Sequence, residues 1–302
     1  MKNNKISTKR LAQICNVSQG TIDRALHNRK GISDKTKEYI LSVAKEYGYR
    51  PNKNGLVGII VFDLYNEYFS ELIMFLEKEL RRRGYYSLVM FSEKDKKKEL
   101  ECIEAMYDAG VNGLILCPVN GKKDFAQYLN SWKIPVVTIG NKVDGIKYVG
   151  IDNFKAMKEL ATFVVSKGFR EILYYSPSIN NDCNMYAQEQ RINAFKSFAE
   201  EENIMYKVVN TTAELEANVR NVMGIIASTD VYALKALFLE KTKECLVVGF
   251  DDIPSLYNYK IPLTTLSYDN IFAAQKVVDY IINPDNNEDV FIDYIISEKN
   301  HR

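Results

Sequence analysis

Histidine is nearly absent from this chain, with only His27 and His301 among 302 residues. A catalytic centre or metal site built on imidazole is thereby close to excluded. The five cysteines (Cys15, Cys102, Cys117, Cys183 and Cys245) are scattered without paired spacing. That argues against a disulfide framework or a zinc cluster and leaves buried free thiols. No apolar run approaches the roughly 18 residues needed to span a bilayer. Residues 1–5 are polar and lack the apolar core of a secretory signal, so the expected location is the cytoplasm. A phosphate-cradling loop is missing too. Its nearest approximation, Gly113 to Gly121-Lys122-Lys123, has the wrong spacing and no Ser or Thr after the lysine. With no nucleophile–base pair visible, an enzyme on a nucleotide-binding fold has little to rest on. No cofactor and no metal are implied.

What is present is an ordinary hydrophobic fraction of 46% with 26% charged residues, in a chain long enough for two or three compact units. The net charge of +1 hides an asymmetry. Residues 1–54 carry 12 basic and 4 acidic side chains, whereas the remaining 248 carry 28 and 35. A basic head on an acidic body means that only the head is suited to a polyanion.

Within that head, residues 7–28 read as helix, tight turn, helix. Leu11, Ala12 and Cys15 share one stripe at helical spacing. Asn16 tolerates the left-handed conformation of a sharp turn, Val17 packs back, and Ser18 is a good N-cap for the second helix. Ile22, Ala25 and Leu26 form the buried stripe of that helix. Gln19, Gly20, Thr21, Asp23 and Arg24 face outward. This is the layout in which a second helix enters the DNA major groove by its N-terminal end; an ordinary helical hairpin with a polar face shares the pattern. Ser33 caps a third helix from Asp34 to about Tyr47, with Ile40, Leu41, Ala44 and Tyr47 inward, and Gly48 and Pro51 end it. Arg29, Lys30, Lys35 and Lys37 suit phosphates, contacts that fix register without reading sequence.

From Leu56 the pattern changes to apolar strands alternating with amphipathic helices. Nine strand candidates run from Leu56–Phe62 to Leu246–Gly249, and eight helices accompany them, the last at Ile271–Ile282. Near-continuous apolar strands with helices between them imply parallel sheets covered on both faces. Nine strands are too many for one comfortable sheet, so two doubly wound lobes are expected, with ligands bound at the C-terminal ends of the strands.

The run from Leu11-Ala12 through Val17-Ser18-Gln19-Gly20-Thr21-Ile22-Asp23-Arg24-Ala25-Leu26, and the run from Ile32-Ser33 to Tyr47-Gly48-Tyr49-Arg50-Pro51-Asn52, resemble the DNA-binding head of the lactose/galactose repressor family of bacterial transcription regulators. The resemblance continues in order through most of the chain. It passes through Val57-Gly58-Ile59-Ile60-Val61-Phe62-Asp63, Asn66-Glu67-Tyr68-Phe69, Val111-Asn112-Gly113-Leu114-Ile115-Leu116, Ile134-Pro135-Val136-Val137 and Ile151-Asp152-Asn153. It then takes in Arg191-Ile192-Asn193-Ala194-Phe195, Ser228-Thr229-Asp230, Val248-Gly249-Phe250-Asp251-Asp252 and Pro262-Leu263-Thr264-Thr265.

The resemblance implies a small all-α helix-turn-helix head (residues 1–52), a short linker (53–55) and an α/β two-lobed body (56–302) like the type I periplasmic binding proteins. One lobe is expected at about 56–151 plus 270–285, the other at about 152–269 plus 286–302. It also implies a homodimer on double-stranded, near-palindromic operator DNA, and a small sugar-like effector in the cleft between the lobes; no membrane is involved. Ser7, Thr8, Ser18, Gln19, Gly20, Thr21, Arg24, Asn28, Arg29, Lys30 and Lys37 are the candidate DNA-binding residues. Arg24 can pair bidentately with guanine, and Gly20 permits close approach. Asp23 either orients Arg24, accepts from a cytosine amino group, or is a solvated helix position.

For the effector, Arg191 and Asp251 match positions that clasp it in the family. Phe62, Asp63, Tyr68, Phe69 and Asp230 are the expected wall. Plain core packing is the other reading of Tyr68 and Phe69, and a turn after a strand the other reading of Asp251. The helix at Phe69–Arg83, with Leu72, Ile73, Phe75, Leu76 and Leu80, has more apolar surface than one face requires; either a partner subunit or its own sheet covers the excess.

Two departures from the family stand out. Members usually carry about ten more residues before the first strand, forming a hinge helix that wedges into the minor groove. Here Asn52-Lys53-Asn54-Gly55 leads almost directly into Leu56, four residues cannot make two helical turns, and Gly55 disfavours a helix. The expectation is a head that does not wedge the operator open. In addition, Gly140 and Cys117 stand where many sugar-binding members present polar groups, and Glu67 replaces the usual proline of the aromatic loop, so the effector is expected to differ from the family's common sugars. The competing functions are a solute-binding protein, which the basic head argues against, and a sensor of the same fold that has lost specific DNA binding.

Overall fold

A computed structural model of the chain describes residues 8–26, 30–47, 55–122, 124–220, 222–284 and 288–298. The chain divides into two compact units, Met1–Gly55 and Leu56–Arg302. Ser7, Asn28, Arg29 and the segment 48–54, which holds most of the proposed linker, lie outside the described residues.

The first unit contains α1 (Thr8–Cys15), α2 (Gln19–Leu26) and α3 (Asp34–Glu46). Leu11, Ala12, Cys15, Ile22, Ala25, Ile40, Val43 and Ala44 are buried together. Asn16 takes a φ of 53°, and the Val17 amide donates to Ala12 O at 3.0 Å, which closes the turn. Ser18 Oγ accepts from the Thr21 amide at 3.1 Å, and Ser33 Oγ from the Thr36 amide at 3.1 Å. The buried stripe of α3 differs from the expected one. Val43, not Leu41 or Tyr47, joins Ile40 and Ala44: Leu41 lies about 100° round the helix from Ile40, and Tyr47, though on the same face, is the C-cap beyond the last helical residue. Leu41 and Tyr47 are exposed.

The second unit has two six-stranded sheets. The first is built from β1 (Leu56–Val61), β2 (Tyr86–Phe91), β3 (Gly113–Leu116), β4 (Val136–Thr138) and β5 (Lys147–Gly150). Between these run α4 (Glu67–Arg82), α5 (Lys96–Asp108) and α6 (Phe125–Ser131). The chain then enters the second lobe through α7 (Asn153–Ser166), β6 (Glu171–Tyr175), α8 (Tyr186–Glu201), β7 (Met205–Val209), α9 (Thr212–Asn218), β8 (Gly224–Ala227), α10 (Asp230–Leu237), β9 (Leu246–Phe250), α11 (Pro254–Asn258) and β10 (Thr264–Tyr268). It returns as α12 (Asn270–Ile282) and ends in β11 (Val290–Phe291) and β12 (Tyr294–Ser297). The strand orders are β11-β5-β4-β3-β1-β2 and β12-β10-β9-β8-β6-β7.

Every pair is parallel except β10 with β12. Strands such as β1, β3 and β8 are buried almost throughout, as two covered faces require. Of the described residues 288–298, Val290 pairs with Val149 of β5 in the first sheet, and Tyr294–Ser297 pairs with β10 in the second. Three strands (β10, β11 and β12) escape the apolar pattern. Thr264-Thr265-Leu266-Ser267-Tyr268 mixes hydroxyls into its core positions, and β11 has two residues. Within α4, Leu72, Leu76 and Leu80 are buried, and Ile73 and Phe75 pack half-buried against the same core.

Candidate functional site

In the helix-turn-helix unit, Ser18, Gln19, Gly20, Arg24 and Lys30 are exposed, and Thr8, Thr21 and Lys37 half-buried. Ser18 and Thr21 spend part of their capacity on each other, with their hydroxyls 2.9 Å apart. That cap frees no residue for the groove, but it fixes the start of α2, so Gln19 and Gly20 sit on its first turn. Arg24 runs between two glycines. A Cβ at Gly20 would lie 4.0 Å from its Nη1, and one at Gly31 (φ +100°) 3.8 Å from its Cδ and Nε. The bare backbone there leaves the guanidinium room to turn.

In the body, the C-terminal ends of both sheets open onto one cavity of about 600 Å³. Asn66 caps α4, its Oδ1 accepting from the Tyr68 amide at 3.1 Å, which sets Tyr68 and Phe69 on the first turn facing the cavity. Phe62 and Phe69 pack edge to face at 5.7 Å, Tyr68 and Phe69 at 5.0 Å, and Tyr68 lies 5.6 Å from Tyr268. These rings make an aromatic wall suited to the C–H face of a sugar. Gly140 (φ +68°) belongs to this wall by its emptiness: a Cβ there would meet Cys117 Sγ at 2.9 Å and the Phe69 ring at 3.3 Å. Asp63 also lines the cavity, 3.5 Å from Lys94 Nζ.

Arg191, on α8, is 6% exposed. Its Nε donates to Asn153 Oδ1 at 2.8 Å and its Nη1 to Ser228 O at 2.6 Å. Its Nη2 lies 3.6 Å from Asp251 Oδ1, and the guanidinium carbon sits 3.6 Å from the Phe250 ring centroid. Held at three points and stacked on an aromatic face, the guanidinium has one orientation. Asp251 follows β9 with φ 117°, and Asp252 with φ 54°. Two successive non-glycine residues in left-handed backbone constitute strain that surrounding contacts must hold. The Tyr268 hydroxyl donates to Asp251 Oδ1 at 3.3 Å. Burial outweighs the Arg191 charge and pushes the Asp251 carboxyl up to about 7. Burial likewise raises the Tyr68, Tyr148 and Tyr268 phenols, which therefore stay as O–H donors.

Of the expected wall, Phe62, Asp63, Tyr68, Phe69, Arg191 and Asp251 line the cavity, and Asp230 does not. Asp230 is fully buried beneath the turn after β9. Its Oδ1 accepts from Thr265 Oγ1 at 2.6 Å and its Oδ2 from the Ile253 amide at 3.0 Å. Gly249 is required by this arrangement, since a Cβ there would fall 2.1 Å from Asp230 Oδ1. Burial pushes the Asp230 carboxyl up to about 6. Asp230 thus holds the strained turn that presents Asp251.

Glu67 also leaves the cavity wall. Its carboxylate reaches across to the second lobe and accepts from the Ser255 amide at 2.8 Å and from the Ser255 hydroxyl. Residues that the sequence reading missed are Tyr148, Asn153 and Tyr268, together with the loop before α8. Tyr268 was hidden with its strand, whereas Asn153 stood in a quoted motif without an assigned role.

A three-helix unit with an exposed second-helix N-terminus, joined in one chain to a two-lobed body with a polar and aromatic cleft, defines a class: a DNA-binding regulator whose ligand-binding body has the periplasmic-binding-protein fold. Residues 9–52 match the family model described as bacterial regulatory proteins, lacI family. Residues 54–224 match periplasmic binding proteins and sugar binding domain of LacI family. The chain belongs to the LacI family.

It is 27% identical over 190 residues to catabolite control protein A of Staphylococcus xylosus, a match covering 59% of this chain and 56% of that relative. It is 25% identical over 304 residues to the ribose operon repressor of Bacillus subtilis, covering 91% of each. In fold it is similar to the lac repressor dimer bound to operator and the anti-inducer ONPF, with a TM-score of 0.73 at 17% identity, covering 98% of this chain and 99% of that one. Among the described residues no helix is long and apolar enough to cross a membrane.

Proposed function

We propose that this protein is a transcriptional repressor that binds a near-palindromic operator as a homodimer, and whose DNA affinity is set by a sugar or sugar derivative held between the lobes of its body. The observation that carries the reading is the desolvated Arg191–Asp251 pair beside the aromatic wall. A charged donor and a charged acceptor suit hydroxyls, rings suit the apolar face of a sugar, and both stand in a chain that also bears an exposed DNA-reading helix. Gln19 and Arg24 contact base edges, Gly20 permits the close approach, and Lys30 and Lys37 contact phosphates. Phe62, Asp63, Tyr68, Phe69, Arg191 and Asp251 contact the effector, with Asp230 behind them. A cytoplasmic location goes with this role.

Fluorescence anisotropy with a palindromic duplex from upstream of its own gene, titrated across salt and compared with a scrambled duplex, tests the reading. Tight binding to the palindrome alone, weakening steeply with salt, is expected, and a sugar among those screened against the complex should shift it. Equal weak binding to both duplexes, with no sequence recovered from random duplexes, would refute it.

The short linker carries a separate expectation. With only Asn52-Lys53-Asn54-Gly55 ahead of Leu56, no two-turn helix is available to wedge the minor groove. A circular-permutation gel should therefore show little operator bending. A strong kink would overturn this expectation.

A further inference from the structure

We infer that residues 177–185, between β6 and α8, form a strap that ties the two lobes together over the cleft, and that release of this strap is the step that opens it. The inference rests on reading the cleft as the effector site.

Connections between a strand and the next helix in such folds usually take about 2–6 residues. Here β6 ends at Tyr175 and α8 begins at Tyr186, and the extra length crosses to the first lobe. Asn184 is its anchor. Its amide donates to Val119 O at 2.7 Å. Its Nδ2 donates to Lys142 O at 2.8 Å and to Asn120 O at 3.3 Å, and its carbonyl accepts from Asn141 Nδ2 at 2.7 Å. All four partners belong to loops of the first lobe.

The seat is built for this side chain. Gly121 lies so close that a Cβ there would be 3.3 Å from Asn184 Cβ. Beneath the seat, the fully buried Glu99 carboxylate accepts from the Val119 amide at 2.6 Å and the Asn120 amide at 2.9 Å. Those loops are therefore held with their carbonyls free for Asn184.

The start of α8 depends on the same seat. Met185 provides no side-chain cap. Instead the Tyr186 amide donates to Asn184 Oδ1 at 3.1 Å, and the Ala187 amide to Asn141 Oδ1, also at 3.1 Å. A helix N-terminus leaves amides to be satisfied, and this one is satisfied partly from across the cleft. Arg191 lies one turn further on, so the strap also fixes the helix that carries it. Pro177, Ser178, Asn180, Cys183 and Met185 meanwhile line the cavity, and the strap is part of its wall.

The test uses the full chain with no sugar present, and so judges the strap apart from the proposed function. Cys117 lines the cavity with no exposed surface. Cys102 is buried in a separate core cluster of the first lobe and reports loss of fold. Alkylation by N-ethylmaleimide, read at each cysteine by peptide mass spectrometry, should be about tenfold faster at Cys117 in Asn184→Ala, the loss of one or two net hydrogen bonds, and unchanged at Cys102. An unchanged rate at Cys117 overturns the strap. Should both cysteines react faster, the substituted chain has lost its fold, and the unsubstituted one decides by hydrogen exchange. The Asn184 and Ala187 amides, both donors to the first lobe, should then share one protection factor, and unprotected or unequal exchange overturns the inference.

Discussion

Arg191→Ala is expected to abolish the response to effector and to lower the melting temperature of the body by on the order of 10 °C at pH 8. Arg191 is held by several partners at once: its guanidinium bonds Asn153 and Ser228, faces Asp251 and stacks on Phe250, and its remaining N–H groups are left for the effector. Alanine leaves a buried carboxylate without its cation. Removing one partner of such a pair costs about 3–5 kcal/mol, and in a body of this size each kcal/mol moves the melting temperature by about 2–4 °C.

The loss carries a signature of its own. Burial already pushes Asp251 up to about 7. Without the arginine charge, which works to lower it, the carboxyl takes up a proton more readily. The deficit relative to the native chain should therefore shrink at pH 5. Arg191→Ala combined with Asp251→Asn should recover melting temperature at pH 8 while leaving effector binding lost. Calorimetric melts of the single and double variants at pH 5 and pH 8 make the comparison. Equal deficits at both pH values would show that packing, not the charge pair, dominates.

Asp230→Ala should reduce effector affinity about tenfold or more without removing any atom from the cavity wall. The carboxylate bonds Thr265 and the Ile253 amide, and these bonds restrain a turn whose residues Asp251 and Asp252 both have positive φ. Strained backbone persists only where contacts over-determine it, so release should let Asp251 swing out of register with Arg191.

Asp230→Asn adds a second reading. Both Asp230, at about 6, and Asp251, at about 7, titrate above the ordinary carboxylate value near 4. Between those values and 4 the folded state binds more protons than the unfolded chain. Their stabilisation is therefore full below about pH 4 and is lost as pH rises through 6 and 7. The melting temperature of the native body should fall between pH 5 and pH 8, and fall less in Asp230→Asn, which removes one titrating group and relieves the repulsion felt by the other. A native profile that rises over this range would contradict the assignment. Effector titrations of the folded Asp230→Asn chain separate positioning from folding, because a purely structural role would leave affinity unchanged.

Local features were readable in advance because they follow from one or two residues acting on nearby backbone. Asn16 in the left-handed turn and Ser18 and Ser33 as caps needed only their immediate neighbours. The apolar strands β1, β3 and β8 announced themselves because both of their faces are covered. Where side chains of mixed character do the covering, the signal failed. Thr265 in β10 is buried for its bond to Asp230, and no apolar period marks it. The stripe of α3 shifted to Val43 for a related reason: several apolar residues were available, and the position of the other two helices chose among them.

By itself, the sequence determined the class of this protein. The basic head, the capped helix pair, the alternation of buried strands with amphipathic helices and the ordered family motifs are all properties of residues near one another in the chain. Arg191 and Asp251 were legible as matches to family positions, although Arg191 stands on helix α8 and only Asp251 follows a strand. Only the tertiary structure decided that Asp230 lies behind the cleft, that Glu67 reaches Ser255, that Val290–Phe291 completes the first sheet and that Asn184 ties the lobes. Each of these joins residues far apart in the chain, from 23 positions for Asp230 with Ile253 to 188 for Glu67 with Ser255. A hydrogen bond depends on distance and direction in space, and those are set only when the two sheets have packed.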